Sequence, residues 1–194
     1  MRRIAEIIVS FMLKNKVISL EQDVIEFYTY GTEITVSSIL NVVLVMAIGL
    51  IINKPMEALL FLCVFIFVRS FTGGFHADTY FRCNLLMCTS FSALACINHL
   101  ISELIGFMLI GSILIFSIVI ISVFCPIENV NKPIPIEKRS GLKLKGIIVC
   151  ILLSIISTLL SADYKKYSGI IMLTIFWIAI LVIAGKIKGR RIQS

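Results

Sequence analysis

Six apolar stretches, each 16–22 residues long, make up more than half of this 194-residue chain. They cover residues 37–53, 55–70, 83–101, 104–125, 146–162 and 169–185. The hydrocarbon core of a bilayer is ~30 Å thick and takes roughly 20 helical residues to cross. Each stretch is therefore a candidate membrane span. Soluble domains are about 45–50% apolar and about 25% charged, whereas this chain is 59% apolar and 15% charged. Its mean hydropathy is +1.04. The expected fold is all-α: a polytopic membrane protein of six transmembrane helices. The first two stretches are short and separated only by Asn53-Lys54-Pro55, which suits a tight hairpin or a tilted or re-entrant pair.

Residues 1–36 read differently. Ile4, Ile7, Ile8, Phe11 and Met12 repeat at helical spacing, and Leu20, Val24, Phe27 and Tyr28 continue it beyond a break near Asn15. Polar residues interrupt the pattern and no small-residue cleavage site follows, so a cleaved signal peptide is not expected. Two amphipathic helices fit, lying in the headgroup plane or capping the bundle from the water side. The chain thus reads as a single domain over 1–194, with interfacial helices in 1–36 and a bundle in 37–187.

Lys and Arg collect on the cytoplasmic side of membrane proteins. With six spans and both termini on one side, fifteen of the eighteen basic residues share that side. Both termini and loops 70–82 and 126–145 are therefore expected in the cytoplasm. The net charge of +7 suits anionic lipid or an acidic partner segment, and no aromatic-interleaved basic platform suggests nucleic acid. Of six cysteines, Cys63, Cys88, Cys96 and Cys150 fall within spans, and Cys83 and Cys125 near the reducing face. Their spacing, with two histidines in the chain, makes a poor metal site. No metal or other cofactor is expected.

Reactive residue types concentrate in segment 69–83, at the mouth of the second and third spans: Arg69, Gly73, Gly74, His76, Asp78, Arg82 and Cys83. A cysteine nucleophile acts as the thiolate, which a neighbouring imidazole or positive charge makes available. Cys83 stands where a helix N-terminus would favour the anion, and His76 is the nearest histidine in sequence. On one straight helix these two would be separated by about 10 Å of rise, with side chains tilted the same way. Proton transfer needs heavy atoms at roughly 3 Å. A dyad therefore requires the chain to bend, with Gly73-Gly74 breaking one helix and Asp78-Thr79 capping the next. No continuous helix is expected through 72–83. On residue type alone, His76 and Cys83 also fit an interfacial histidine and a small apolar filler, and Arg69 fits a side chain snorkelling to the headgroups.

The constellation Arg69-x3-Gly73-Gly74-x-His76-Ala77-x5-Cys83, followed by Cys125-Pro126 and by Asn131-Lys132-Pro133-Ile134-Pro135, resembles the AgrB family. These are membrane cysteine endopeptidases of bacterial peptide quorum sensing. Chain length and six spans agree with the resemblance. It implies Cys83 as nucleophile, His76 as its general base, Gly74 at the turn that brings them together, and Arg69 as a supporting residue. Asp78 either orients the imidazole or caps a helix. The implied substrate is an AgrD-type propeptide with an amphipathic N-terminal helix, a signal segment holding a cysteine or serine, and an acidic tail. The implied reaction is tail removal through an acyl-enzyme thioester, then cyclisation to a thiolactone. The basic 126–145 loop suits the acidic tail, with Lys132 and Pro133 as contacts, although positive-inside topology explains its charges equally well. The resemblance also implies a homodimer in the bacterial cell membrane.

Two other classes fit a small polytopic chain: a transporter or channel, and a non-enzymatic adaptor. Against the first, the span middles lack the ionisable groups that mark an ion path, since Glu57 and Glu103 sit near span ends. Neither class explains a Gly-Gly-His and a cysteine clustered at one mouth.

Overall fold

The computed structural model describes residues 2–15, 21–73, 79–102, 106–127 and 136–193. Among them are seven helices and no strand: α1 (Arg2–Lys14), α2 (Gln22–Ile51), α3 (Pro55–Thr72), α4 (Tyr80–Ile101), α5 (Phe107–Phe124), α6 (Ile136–Leu160) and α7 (Lys165–Gln193). All but α1 are long and apolar enough to cross a membrane. The protein is a multi-pass membrane protein. In lipid a helix satisfies its own backbone hydrogen bonds, and the exposed Leu50, Phe67, Ile115, Val123 and Leu159 are then solvated by acyl chains rather than by water.

The bundle is organised around α7, which packs against α3, α4, α5 and α6. Its residues Ile170, Met172, Ile175, Ile178, Ala179 and Val182 are essentially fully buried. The short first pair of stretches is a tight hairpin. Asn53 takes a left-handed φ of 57°, Lys54 N donates to Gly49 O at 2.7 Å, and Pro55 occupies the first turn of α3, where its missing N–H costs nothing. Gly49 lets α2 and α3 close up, because a Cβ there would crowd the Ala58 Cβ.

The N-terminal region differs from its sequence reading in one respect. α1 stands alone as an amphipathic helix, burying Ala5 and Val9 against α2. The second amphipathic segment is not a separate element, because it runs without a break through Ser37 into the first span. Hydropathy changes near Ser37, but no proline stops the helix and Gly31 lies in open space. At 1.5 Å per residue, thirty residues rise about 45 Å, well beyond the ~30 Å hydrocarbon core. Roughly the first third of α2, which carries Asp23 and Glu26, therefore projects past the membrane.

A polar cluster closes the far end of the bundle. Lys54 Nζ donates to Ala95 O at 3.0 Å and lies 3.8 Å from Glu57 Oε2. Asn98 Nδ2 donates to Lys166 O at 2.8 Å and reaches Glu57 Oε2 at 3.4 Å. This joins α3, α4 and α7. The Asn98 side chain lies so close to Gly169 that a Cβ there would overlap its Oδ1, and these hydrogen bonds restrain it from swinging away. Gly169→Ala is expected to destabilise by about 1–3 kcal/mol through overpacking. Thermal unfolding in detergent reads this as a lower Tm, by about 2–4 °C per kcal/mol for a chain of this size. An unchanged Tm would contradict it.

Candidate active site

At the other end of the bundle, α3 terminates where the sequence offers glycine. Thr72 is the last helical residue and Gly73 follows with a φ of +68°, a conformation glycine adopts without steric cost. Gly73 N donates to Arg69 O at 3.1 Å, closing the helix, and Ile127 N donates to Thr72 O at 3.0 Å. The Ile127 carbonyl lies against Gly73, where a Cβ would collide with it. The segment after α5, with Cys125 and Pro126, is thus tied to the start of the 73–79 connection.

α4 begins on the other side of that connection. Thr79 is its N-cap, with Oγ1 accepting from Arg82 N at 3.3 Å. Cys83 N donates to Thr79 O at 3.1 Å, which places the thiol in the first turn. The helix is therefore broken between Thr72 and Tyr80, as a His76–Cys83 dyad demands. Of the Asp78-Thr79 pair expected to cap this helix, Thr79 is the N-cap, and Asp78 lies outside the described residues.

Cys83 is half-buried, and the Arg69 guanidinium lies within Coulombic reach of its sulfur. Arg69 is itself half-buried and stacks over Phe65, 5.2 Å from the ring centroid. Phe65 packs on Phe61, and Phe61 on Phe91 of α4. A cation–π contact of this kind holds a guanidinium in a direction, so Arg69 is anchored on α3 rather than simply snorkelling. Arg69 and the N-terminal end of α4 both bring positive charge to the sulfur.

Cys125 is the second thiol near this end. It is buried, and its thiol is pushed up to about 12, chiefly by burial. A thiol that stays protonated at neutral pH is inert. Cys125 is thus buried, whereas Cys83 is half-buried in the first turn of α4. Among the described residues no three His, Cys, Asp or Glu side chains converge as a metal site would require.

The structure thus brings together Arg69 and Cys83. His76, Gly74, Asp78, Lys132 and Pro133 lie outside the described residues. Four residues around Cys83 escaped the sequence reading. Tyr80 OH donates to Glu33 Oε2 at 2.8 Å, and Ser37 Oγ donates to Asn84 Oδ1 at 3.1 Å. Their signal was available: Glu33 and Ser37 are four apart on one helix, as are Tyr80 and Asn84 on another, and helical residues four apart share a face.

Six helices long and apolar enough to span a bilayer, with Arg69 and Cys83 at the same end of the bundle, define a multi-pass membrane protein. The Accessory gene regulator B family model matches residues 5–182, from α1 into the last span, and the chain belongs to that family. It is 27% identical over 153 residues to AgrB-like protein 2 of Clostridium perfringens strain 13, covering 74% of this chain and 70% of that one. To an AgrB-like protein of Clostridium perfringens strain SM101 it is 29% identical over 130 residues, 62% of this chain and 59% of the relative. To Accessory gene regulator protein B of Staphylococcus intermedius it is 23% identical over 137 residues, 71% of this chain and 72% of that one. No solved structure matches it. Membership ties the protein to accessory gene regulator quorum sensing.

Proposed function

We propose that this protein is a cysteine endopeptidase and cyclase acting on an AgrD-type propeptide at the cytoplasmic face of a bacterial membrane. The observation that carries the reading is a half-buried thiol, Cys83, in the first turn of a capped helix, within Coulombic reach of the Arg69 guanidinium. No single helix runs through 72–83, since α3 ends at Thr72 and α4 begins at Tyr80, which is consistent with a dyad of His76 and Cys83. The orientation rests on the distribution of basic residues, and the homodimer on the family.

In the proposed reaction His76 takes the Cys83 proton and the thiolate attacks the carbonyl at the end of the signal segment. The peptide C–N bond breaks, the leaving amine takes the proton from His76, and the acidic tail departs. Cys83 then holds the rest of the peptide as a thioester. The substrate's own cysteine attacks that carbonyl, its proton passes to the Cys83 sulfur, and a thiolactone is released. One thioester replaces another, so ring closure needs no ATP. Arg69 orients the substrate or its loop. Lys132 and Pro133 receive the acidic tail, a role suited to the basic 126–145 loop. A site in the membrane mouth also keeps water from the thioester.

The test is a mass balance. Co-expressed with a small amphipathic propeptide bearing an internal cysteine and an acidic tail, the wild-type protein is expected to give a ring and a tail whose masses sum to the propeptide's. His76→Ala is expected to leave the propeptide intact. A linear product heavier by one water would reduce the activity to hydrolysis. Equal processing by His76→Ala would remove His76 from the chemistry.

A further inference from the structure

Cys83 lies between two rungs that bind α4 to α2. Tyr80 OH donates to Glu33 Oε2 at 2.8 Å and Ser37 Oγ donates to Asn84 Oδ1 at 3.1 Å. Each pair is 47 positions apart, so α2 and α4 run parallel and in register there. Tyr80 and Asn84 stand one above the other on α4, and both rungs therefore grip one stripe of that helix. Cys83 is about 60° round the helix from Tyr80 and is apposed to Arg69 of α3.

Packing explains why the rungs matter. α4 packs far more extensively on α2 than on α3, so direct α3–α4 contact contributes little to holding Cys83 against Arg69. A cavity of about 550 Å³, bordered by Arg2, Glu33, Leu40, Tyr80, Phe81 and Asn84, opens beside the rungs. Packing does not fill this space, so at this end of α4 the two hydrogen bonds carry more of its attachment to α2. Ser37 and Asn84 are buried, where a lost partner is not replaced by water.

We propose that Glu33 and Ser37 of α2 are positioning residues. Through Tyr80 and Asn84 they fix the rotation of α4 and so the direction in which the Cys83 sulfur points. The consequence for turnover rests on Cys83 being the nucleophile. Misplacing a reacting atom by about 1 Å costs up to about 100-fold in rate. Substrate contacts made elsewhere are untouched, so the loss falls on kcat rather than on KM.

The experiment compares Tyr80→Phe, Glu33→Ala, Glu33→Gln, Ser37→Ala and the Tyr80→Phe/Glu33→Ala double variant in proteoliposomes. Tyr80→Phe and Glu33→Ala are each expected to lower kcat about tenfold with KM within about twofold. Glu33→Gln keeps the acceptor oxygen and is expected to restore kcat to within about threefold. Ser37→Ala is expected to lower kcat in the same direction. The double variant is expected to be no slower than the slower single, because both remove one bond. Losses that multiply in the double variant, or Glu33→Gln as slow as Glu33→Ala, would overturn the proposal.

Iodoacetamide labelling of Cys83, followed by peptide mass spectrometry without substrate, separates this proposal from the catalytic reading. The labelling rate is expected to change in Tyr80→Phe and Glu33→Ala and to stay near wild type in Glu33→Gln. Processing that survives Cys83→Ser, beside those labelling changes, would defeat the nucleophile assignment and leave the positioning of the thiol standing. Labelling and turnover both unchanged in Tyr80→Phe would overturn the positioning role.

Discussion

Cys83→Ser is expected to abolish propeptide processing, by at least about 10⁴-fold, while the protein inserts and melts as the wild type does. The magnitude is that of removing the nucleophile from a unit whose other members cannot act alone. Serine fits the same first-turn position, where the Cys83 N–H bond to Thr79 O is made by the backbone and survives. The hydroxyl gives up its proton far less readily than a thiol, and an acyl-serine is an oxygen ester from which a thiolactone is uphill. Cys125 cannot substitute. Burial pushes its thiol up, so little of it is thiolate at neutral pH, and the Ile127 N–H bond to Thr72 O holds its segment in place. Quantifying tail release at matched membrane levels checks the expectation, and processing within tenfold of wild type would contradict it.

Gly73→Ala is expected to be the most damaging change that removes no reactive group. A left-handed residue costs an L-amino acid about 1–2 kcal/mol. Here the added Cβ would also collide with the Ile127 carbonyl, which is backbone and held by the Ile127 N–H···O=C Thr72 bond. The strain is relieved by separating the 125–127 segment from α3, which moves the start of the connection carrying His76. Processing is expected to fall about 100-fold while the six spans remain inserted. Steady-state processing together with protease accessibility of the 73–79 connection measures this. Wild-type kinetics in Gly73→Ala would show that the loop tolerates a different path. Gly111→Ala is the control, since nothing lies near a Cβ at that position.

The six spans were legible because nothing but lipid explains long apolar blocks, and the break at Gly73 because a dyad on one helix is geometrically impossible. The length of α2 was not legible. Hydropathy marks where a helix enters lipid, whereas helix ends are set by caps and breakers, and between Gln22 and Ser37 there is no proline and the single glycine, Gly31, does not interrupt the helix. That extension hid Glu33, which read as one charge in a polar region and is in fact a partner of the turn that carries Cys83. The docking of Ile127 on Thr72 was equally out of reach, since a backbone hydrogen bond between distant segments leaves no trace in residue type. Cys125-Pro126 was visible as a match to the family and as a cysteine near one membrane face, not as part of a segment tied to the end of α3.

The central claim is that the peptide passes through a thioester on Cys83. Replacing the propeptide's internal cysteine by alanine removes the group that resolves this intermediate, leaving slow hydrolysis as the exit. Intact-protein mass spectrometry after a rapid acid quench should then find the wild-type protein heavier by the tail-less peptide less one water, with proteolytic fragments assigning the adduct to Cys83 and none on the Cys83→Ser protein. Tail release with no adduct at any quench time, or an adduct on another residue, would contradict the account.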